Sequence, residues 1–353
     1  MAKGSVDQKL FGDGFFGGSL SPKRNIMQER FIIPPFSVLD ARQGVWISRK
    51  KAWLNLGLRG EEGRARDETD TMNRAYRKTL DGHGKKLRDQ YKKRELKEKT
   101  GMDIDEGLNY DTEGPGTGTS IFDPVLTEIC YRWFCPAGGH ILDPFAGGST
   151  RGIVAGVLGF GYTGIEVRDI QVRANIDQSN SIFAEGDTIP RYLLGDSTNL
   201  RGVVADNTAS EQNFDFVFAC PPYYNLELYS HDDRDGSTHK SYDDFMKWYQ
   251  LVFAQAVELL SENRFLAVVV GEIRDEKTGA YRNFVGDNIR CFLDLGLTYY
   301  NELILVTRAG SLPLRAGNYF NASRKVGKTH QNVLVFWKGN PLKIKELFKD
   351  VAV

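Results

Sequence analysis

The spacing of apolar positions changes texture near residue 120. Beyond that point, short runs of β-formers alternate with longer amphipathic stretches. The runs are "HILDPF" (140–145), "YTGIEV" (162–167), "RYLLGDS" (191–197), "FDFVFAC" (214–220), "RFLAVVVGEI" (264–273), "NELILVT" (301–307) and "NVLVFW" (332–337). Such nearly continuous apolar runs fit strands buried on both faces. Between most of them lie helical patterns: "DPVLTEICYRWF", "TRGIVAGVLGF", "VRDIQVRANIDQSN", "SYDDFMKWYQLVFAQAVELLSEN" and "RNFVGDNIRCFLDLG". This alternation predicts an α/β fold with a doubly wound, seven-stranded, mostly parallel sheet. No helical pattern separates the last two strands, so they are expected to pair antiparallel at one edge.

The first 118 residues read differently. Residues 1–30 are glycine-rich and aperiodic, the pattern of a flexible arm. Residues 31–118 form an expected accessory region. Val38, Leu39, Trp46, Trp53 and Leu54 give its first part something to bury. Residues 71–100 carry eleven Lys/Arg against four Asp/Glu, including Lys85, Lys86, Lys92 and Lys93. That run reads as a solvated helix or as a nucleic-acid contact. "DTEGPGTGTS" (111–120) reads as a linker or turn, and residues 341–353 as a tail after a domain at 119–340.

Composition narrows the class. Lys+Arg and Asp+Glu both number 46, so the formal net charge is zero and any basic surface must be local. The four cysteines show no CxxC pair, and the five histidines form no HExxH motif. This pattern speaks for reduced thiols and against a metal site. No signal peptide and no apolar run of membrane-spanning length stands out. A cytoplasmic protein without a membrane partner is expected.

In parallel sheets ligands gather at the carboxyl ends of the strands, near the point where strand order reverses. The first strand there delivers "DPFAGGST" (143–150). Gly147 and Gly148 let a ligand approach the backbone, and the following helix N-terminus can receive a carboxylate. Glu166 ends the second strand and suits a bidentate grip on ribose hydroxyls. Asp196 follows the third, a carboxylate able to accept from an exocyclic amine. "CPPYY" closes the fourth. Its two prolines donate no hydrogen bonds and hold φ fixed, so they stop the strand in a stiff turn.

These motifs resemble class I S-adenosylmethionine (SAM)-dependent methyltransferases, specifically those that modify exocyclic amino groups of DNA bases. The resemblance covers roughly residues 119–340. In that family "DPF.G.GT" is the cofactor loop, "(D/N/S)PPY" is the catalytic motif, and a segment like "TSIFDPVL" (119–126) holds the methionine end of the cofactor. The resemblance therefore implies a Rossmann-like methyltransferase fold with SAM as cofactor. It implies cofactor contacts from Thr119, Ser120 and Phe122, and from Asp143, Phe145, Gly147, Gly148, Ser149 and Thr150. Glu166, Asp196 and Ser197 complete that set. Cys220, Pro221, Pro222 and Tyr223 are the implied catalytic residues.

The chemistry fits the turn. An amine conjugated with a base ring is a poor nucleophile, and acceptors around it free its lone pair. Carbonyls of a Pro-Pro turn are such acceptors, and an adjacent ring can stack on a flipped base. Tyr223 is assigned to that stacking. Cys220 departs from the family pattern, because a thiol is a weak donor and acceptor. That departure leaves N6-adenine and N4-cytosine both open, with adenine slightly favoured. "GFGYTG" (159–164) matches GxGxxG but precedes the second strand instead of following the first, so a nicotinamide reading fails.

Two long connections suit DNA contact. "RAGSLPLRAGNYFNASRKVGKTHQ" (308–331) mixes Arg308, Arg315, Arg324, Lys325 and Lys328 with Tyr319 and Phe320. "YNLELYSHDDRDGSTHKSY" (224–242) follows the catalytic turn. The expected activity is site-specific methylation of DNA. An RNA base or a protein glutamine as acceptor, and a non-catalytic DNA-binding relative, stay open as alternatives. So do a homo-oligomer and a restriction-system partner.

Overall fold

The computed structural model describes residues 31–60, 62, 122–207, 213–224, 236–275, 277–310 and 312–348. Lys85, Lys86, Lys92, Lys93, Thr119 and Ser120 lie outside these residues.

Eight strands form one sheet: β1 (Val38–Asp40), β2 (His140–Asp143), β3 (Gly161–Glu166), β4 (Arg191–Leu194), β5 (Phe214–Ala219), β6 (Leu260–Val270), β7 (Thr298–Val306) and β8 (His330–Lys338). Their spatial order is β1-β7-β8-β6-β5-β2-β3-β4. Only β8 runs antiparallel to its neighbours. The described helices are α1 (Gly44–Asn55), α2 (Pro124–Phe134), α3 (Thr150–Leu158), α4 (Asp169–Ile182), α5 (Leu200–Asp206), α6 (Tyr242–Leu259), α7 (Phe284–Asp294), α8 (Pro313–Ser323) and α9 (Ile344–Leu347). This is the α/β, doubly wound, mostly parallel sheet expected from the sequence, with one strand more.

The seven expected strands are all present. The last two strands, β7 and β8, pair antiparallel as expected, and the outermost position beyond them is taken by β1. β8 lies between β6 and β7 and is no edge strand. Its run Val333–Trp337 is fully buried, which only a position covered on both faces allows. β7 is exposed or half-buried over Thr298–Glu302 and alternates between buried and half-buried positions from Leu303 to Val306, and β1 pairs along its outer side in parallel. The Ile304 N–H donates to Ser37 O at 2.7 Å, and the Ala41 N–H to Val306 O at 3.0 Å. A three-residue strand carries too little periodicity to be seen in the sequence. The connection before β8 also holds helix α8, where a loop was expected. Gly317, Asn318 and Asn321 are weak helix formers and mask its pattern.

Two apolar layers cover the sheet. Phe216 and Phe218 of β5 pack into one layer with Trp46, Trp53 and Tyr131. Val217 and Ala219 point into the other, with Phe245, Tyr249, Phe253 and Phe284. The first described part of the accessory region thus shares the core of the catalytic unit. Helix α1 places Trp46, Arg49 and Trp53 on one face, against α2. Arg49 donates twice to the fully buried Glu128 carboxylate, at 2.6 Å each, and the Trp53 indole N–H adds a third bond at 2.9 Å. The Trp46 indole reaches Asp123, whose Oδ1 also caps α2 through the Val125 N–H at 2.9 Å. Burying a carboxylate is tolerable only with such multiple partners.

Among the described residues, no helix is long and apolar enough to cross a membrane. The docking of β1 is open to a direct test. Leu39 is 1% exposed, so Leu39→Ala should cost about 2–5 kcal/mol of stability. Urea denaturation monitored by tryptophan fluorescence checks this, and an unchanged midpoint would show that β1 contributes nothing to the core.

Candidate active site

β2, β3, β4 and β5 are neighbours and parallel, so their carboxyl ends open on the same side of the sheet. Strand order reverses between β2 and β5, which puts a cleft there. The loop after β2 enters this cleft. Gly147 has φ of +51°, a left-handed conformation that its lack of a Cβ makes inexpensive. Its N–H donates to Glu166 Oε2 at 3.1 Å, and its carbonyl accepts from Asn175 Nδ2 at 2.8 Å. Ser149 precedes α3 without capping it through its side chain, because its hydroxyl bonds Gln178 instead. The first-turn N–H groups of α3 therefore have no side-chain acceptor from Ser149. Thr150, also assigned to the cofactor, is buried at the start of that helix.

Asp143 is fully buried and makes no contact with solvent. Its Oδ2 accepts from Arg151 Nε at 2.6 Å and from the Tyr162 hydroxyl at 2.8 Å. Its Oδ1 accepts from the Phe145 N–H at 3.0 Å. Arg151 then bonds the Phe145 carbonyl at 2.5 Å and the Ala146 carbonyl at 3.2 Å. Its guanidinium lies 4.6 Å from the centroid of Phe122. In this structure Asp143 shapes the loop from beneath.

Glu166 is half-buried at the end of β3. Besides Gly147 it accepts from the Arg168 N–H and Nε, at 3.1 and 3.2 Å. Asp196 is half-buried after β4, and its Oδ1 accepts from the Thr198 N–H at 2.8 Å. Ser197 is buried, and its hydroxyl donates to the Pro144 carbonyl at 2.5 Å, tying the β4 end to the β2 loop. The Phe145 ring packs on Trp248 and Phe253, with centroids 5.5 and 5.7 Å away.

The Cys220–Tyr223 turn closes β5 beside this loop. Pro221 and Pro222 are buried, while Cys220 and Tyr223 are half-buried. Among the described residues, no donor reaches the carbonyl oxygens of Pro221 or Pro222. The Tyr223 hydroxyl donates to Val269 O and accepts from Gln331 Nε2, both at 3.3 Å. Its ring meets Phe284 edge-on at 6.0 Å. Tyr224 has φ of +50° and is buried, with its hydroxyl on Lys240 O at 3.2 Å. So of the two tyrosines Tyr223 is the one left only half-buried.

The cations expected to meet DNA divide into groups. Lys325 lies on Gly279, and Lys328 Nζ comes within 3.6 Å of where a Cβ on Gly271 would stand, as does Tyr223 Cε2. Lys328 bonds Asn332 Oδ1 at 3.3 Å, and burial draws its ammonium below the usual lysine range. Arg324 caps α8 and sits over Phe320. Arg308 follows β7 on the surface, and Arg315 is carried on α8.

Several site residues escaped the sequence reading. Gln171, Asn175 and Gln178 are buried on one face of α4. They link the glycine loop to the Glu62 and Arg59 carbonyls, each at 2.8 Å. Their i, i+4, i+7 spacing was the available signal. Arg151 had none, since an arginine after a glycine loop looks exposed. Arg282, from the segment after β6, lies 5.3 Å from the centroid of the Tyr224 ring. Among the described residues, no group of three His, Cys, Asp or Glu is placed to hold a metal ion.

No protein-family model and no curated protein matches the chain. Among solved structures, it is similar to a methyltransferase from Pyrococcus furiosus. Identity there is 18%, over 73% of this chain and 100% of that one, with a TM-score of 0.40. A SAM-dependent methyltransferase from Methanosarcina mazei shares 14% identity over 58% of this chain and 95% of that one, TM-score 0.38. Magnesium protoporphyrin IX methyltransferase from Synechocystis PCC 6803, solved with bound SAM, shares 11% over 70% and 95%, TM-score 0.38. Likeness at this level says nothing of substrate, and the fold rests on strand order.

The buried Asp143–Arg151 pair sets a prediction. Asp143→Asn leaves the Arg151 cation buried without its countercharge, which should cost about 3–5 kcal/mol. Tyr162→Phe removes one hydrogen bond from the same carboxylate and should cost about 1 kcal/mol. Chemical denaturation of both variants measures the difference. Equal, small losses would mean that the pair does not support the loop.

Proposed function

We propose that the chain transfers a methyl group from SAM to the exocyclic amino group of a DNA base, with adenine N6 favoured over cytosine N4. One observation carries this reading. The glycine loop, Glu166, Asp196 and the Pro-Pro-Tyr turn converge at the carboxyl ends of four adjacent parallel strands. The residues present fit the cofactor. The N-terminus of α3 lacks a side-chain cap and suits its carboxylate. Glu166 suits its ribose hydroxyls, and Asp196 its adenine amine. Phe122 and Phe145 supply apolar walls. When bound, SAM supplies an electrophilic methyl group.

This chain's own residues act on the other partner. The Pro221 and Pro222 carbonyls, free of donors among the described residues, accept the protons of the target amine and localise its lone pair. Tyr223 stacks on the base. Its hydroxyl is fixed at two points, so the ring is preorganised before the base arrives. Cys220 fills the position beside those carbonyls without a strong hydrogen-bonding group. Backbone acceptors carry the recognition of the amine.

Glu166→Ala and Asp196→Ala should each weaken SAM binding by about 1–3 kcal/mol. Titration calorimetry measures it, and unchanged affinity in both would remove the cofactor assignment. Tyr223→Ala should keep folding and SAM affinity yet lower methyl transfer to DNA on the order of a hundredfold, because the amine is misplaced. Tyr223→Phe keeps the ring and loses only the hydroxyl bonds, so its loss should be much smaller. Cys220→Ser and Cys220→Ala should both retain activity. Incorporation of labelled methyl groups into unmodified genomic DNA, with mass spectrometry of the nucleosides, reads all four variants and separates adenine from cytosine. Full activity in Tyr223→Ala would place the target base elsewhere.

A further inference from the structure

Residues 271–283 connect β6 to α7 beside the catalytic turn. Their centre is a tight hairpin. Arg274 and Tyr281 pair as an isolated antiparallel bridge, and Asp275 Oδ1 accepts from the N–H groups of Lys277 and Thr278 at 3.1 and 2.8 Å. Arg282 closes the base of the hairpin on Asp275 Oδ2 at 2.6 Å. The Tyr281 ring is 47% exposed, and the Arg274 guanidinium lies 4.0 Å from its centroid. This ring is a rigid platform on the surface.

A second platform stands next to it. Tyr319 and Phe320 on α8 are 50% and 45% exposed, and Arg324 lies over the Phe320 ring at 5.1 Å. Lys325, the next residue, rests on Gly279 of the hairpin, so the end of α8 and the hairpin adjoin. Lys328 Nζ and Tyr223 Cε2 both lie 3.6 Å from where a Cβ on Gly271 would stand. Of the five exposed aromatic residues among the described residues, three lie on these two segments, which is more than scatter on a surface would place there. Residues 308–331 contain five Lys/Arg and no Asp/Glu, in a chain whose net charge is zero. Strong positive charge mixed with exposed rings is complementary to a polyanion with bare bases.

We propose that this surface binds the nucleotides flanking the target base as an unpaired strand, so that the preferred substrate is single-stranded DNA. The inference rests on the function proposed above. In a duplex only the flipped base leaves the stack, and one ring, Tyr223, suffices for it. Rings of Tyr281, Tyr319 and Phe320 can stack on neighbouring bases only where those bases are themselves unstacked. Every base has a π-face, so such platforms hold a strand with little regard to its sequence. The Arg274 and Arg324 guanidinium groups reinforce the rings and reach for phosphates.

The test uses the full chain and unmodified genomic DNA, native or heat-denatured, with an RNA transcript of mixed sequence as a third arm. Methyl incorporation should have a kcat/KM about tenfold or more higher on denatured DNA than on native DNA. Tyr281→Ala and Phe320→Ala should each weaken binding to denatured DNA about tenfold, in line with the loss of a base–aromatic stack. Both residues are exposed, so melting temperature and SAM affinity should stay at wild-type values. Native DNA methylated as well as denatured DNA, or unchanged strand binding in both variants, overturns this inference and leaves the proposed function standing. Methylation of RNA with denatured DNA refused keeps the unpaired strand and overturns DNA as the substrate. Transfer to none of the three overturns both.

Discussion

A single buried carboxylate organises the cleft. Asp143 ends β2 with no solvent contact and must find all its partners within the protein. It takes Arg151, Tyr162 and the Phe145 N–H. Each partner fixes a different part of the site. The Phe145 N–H starts the turn of the glycine loop, and Tyr162 ties that loop to β3. Arg151 holds the Phe145 and Ala146 carbonyls and lies over Phe122, at the point where the chain enters α2. The glycine loop is thereby set against one ion pair. Because a buried charge without its counterion costs several kcal/mol, this geometry has little freedom to drift.

The region before residue 60 extends this arrangement. A polar ladder on α4 carries it outward. Asn175 bonds the Gly147 carbonyl, Gln171 bonds Asn175, and Gln171 and Gln178 bond the Glu62 and Arg59 carbonyls. Helix α1 is pinned at its other side by Glu128 and Asp123. The accessory segment thus buttresses the cofactor loop from behind, and β1 covers the outer flank of β7, which would otherwise present an unpaired strand edge. The physical role of residues 31–60 is support of the same core.

Much of this was legible in the sequence, for identifiable reasons. Long apolar runs such as 264–270 and 332–337 announce buried strands, and "DPFAGGST" and "CPPYY" announce turns that glycine and proline favour. What could not be read was short, polar or dependent on distant partners. β1 has three residues, and the helix at 313–323 hides behind glycine and asparagine. Arg151 and Glu128 look like surface charges until the chain folds around them. Placement of β8 between β6 and β7 depends on pairing β8 with β6 across the 59 residues between Val270 and His330, which no local pattern encodes.

The order of the sheet explains why the surface beside the turn differs in kind from the cleft. In a wholly parallel sheet each strand end is separated from the next by a helix on one face. Inserting β8 antiparallel brings the start of β8 to the same end as the close of β6. Asn332 therefore pairs with Val270, and Gln331, one residue before it, reaches the Tyr223 hydroxyl. The segments 271–283 and 308–331 are forced together at that end, and each arrives with arginine-covered rings. Antiparallel insertion of one strand thus builds a shelf of cations and exposed rings beside the Pro-Pro-Tyr turn. The cleft itself is acidic and glycine-lined. In the function proposed above, the two surfaces meet at Cys220–Tyr223, where a group held on one side reacts with a group held on the other.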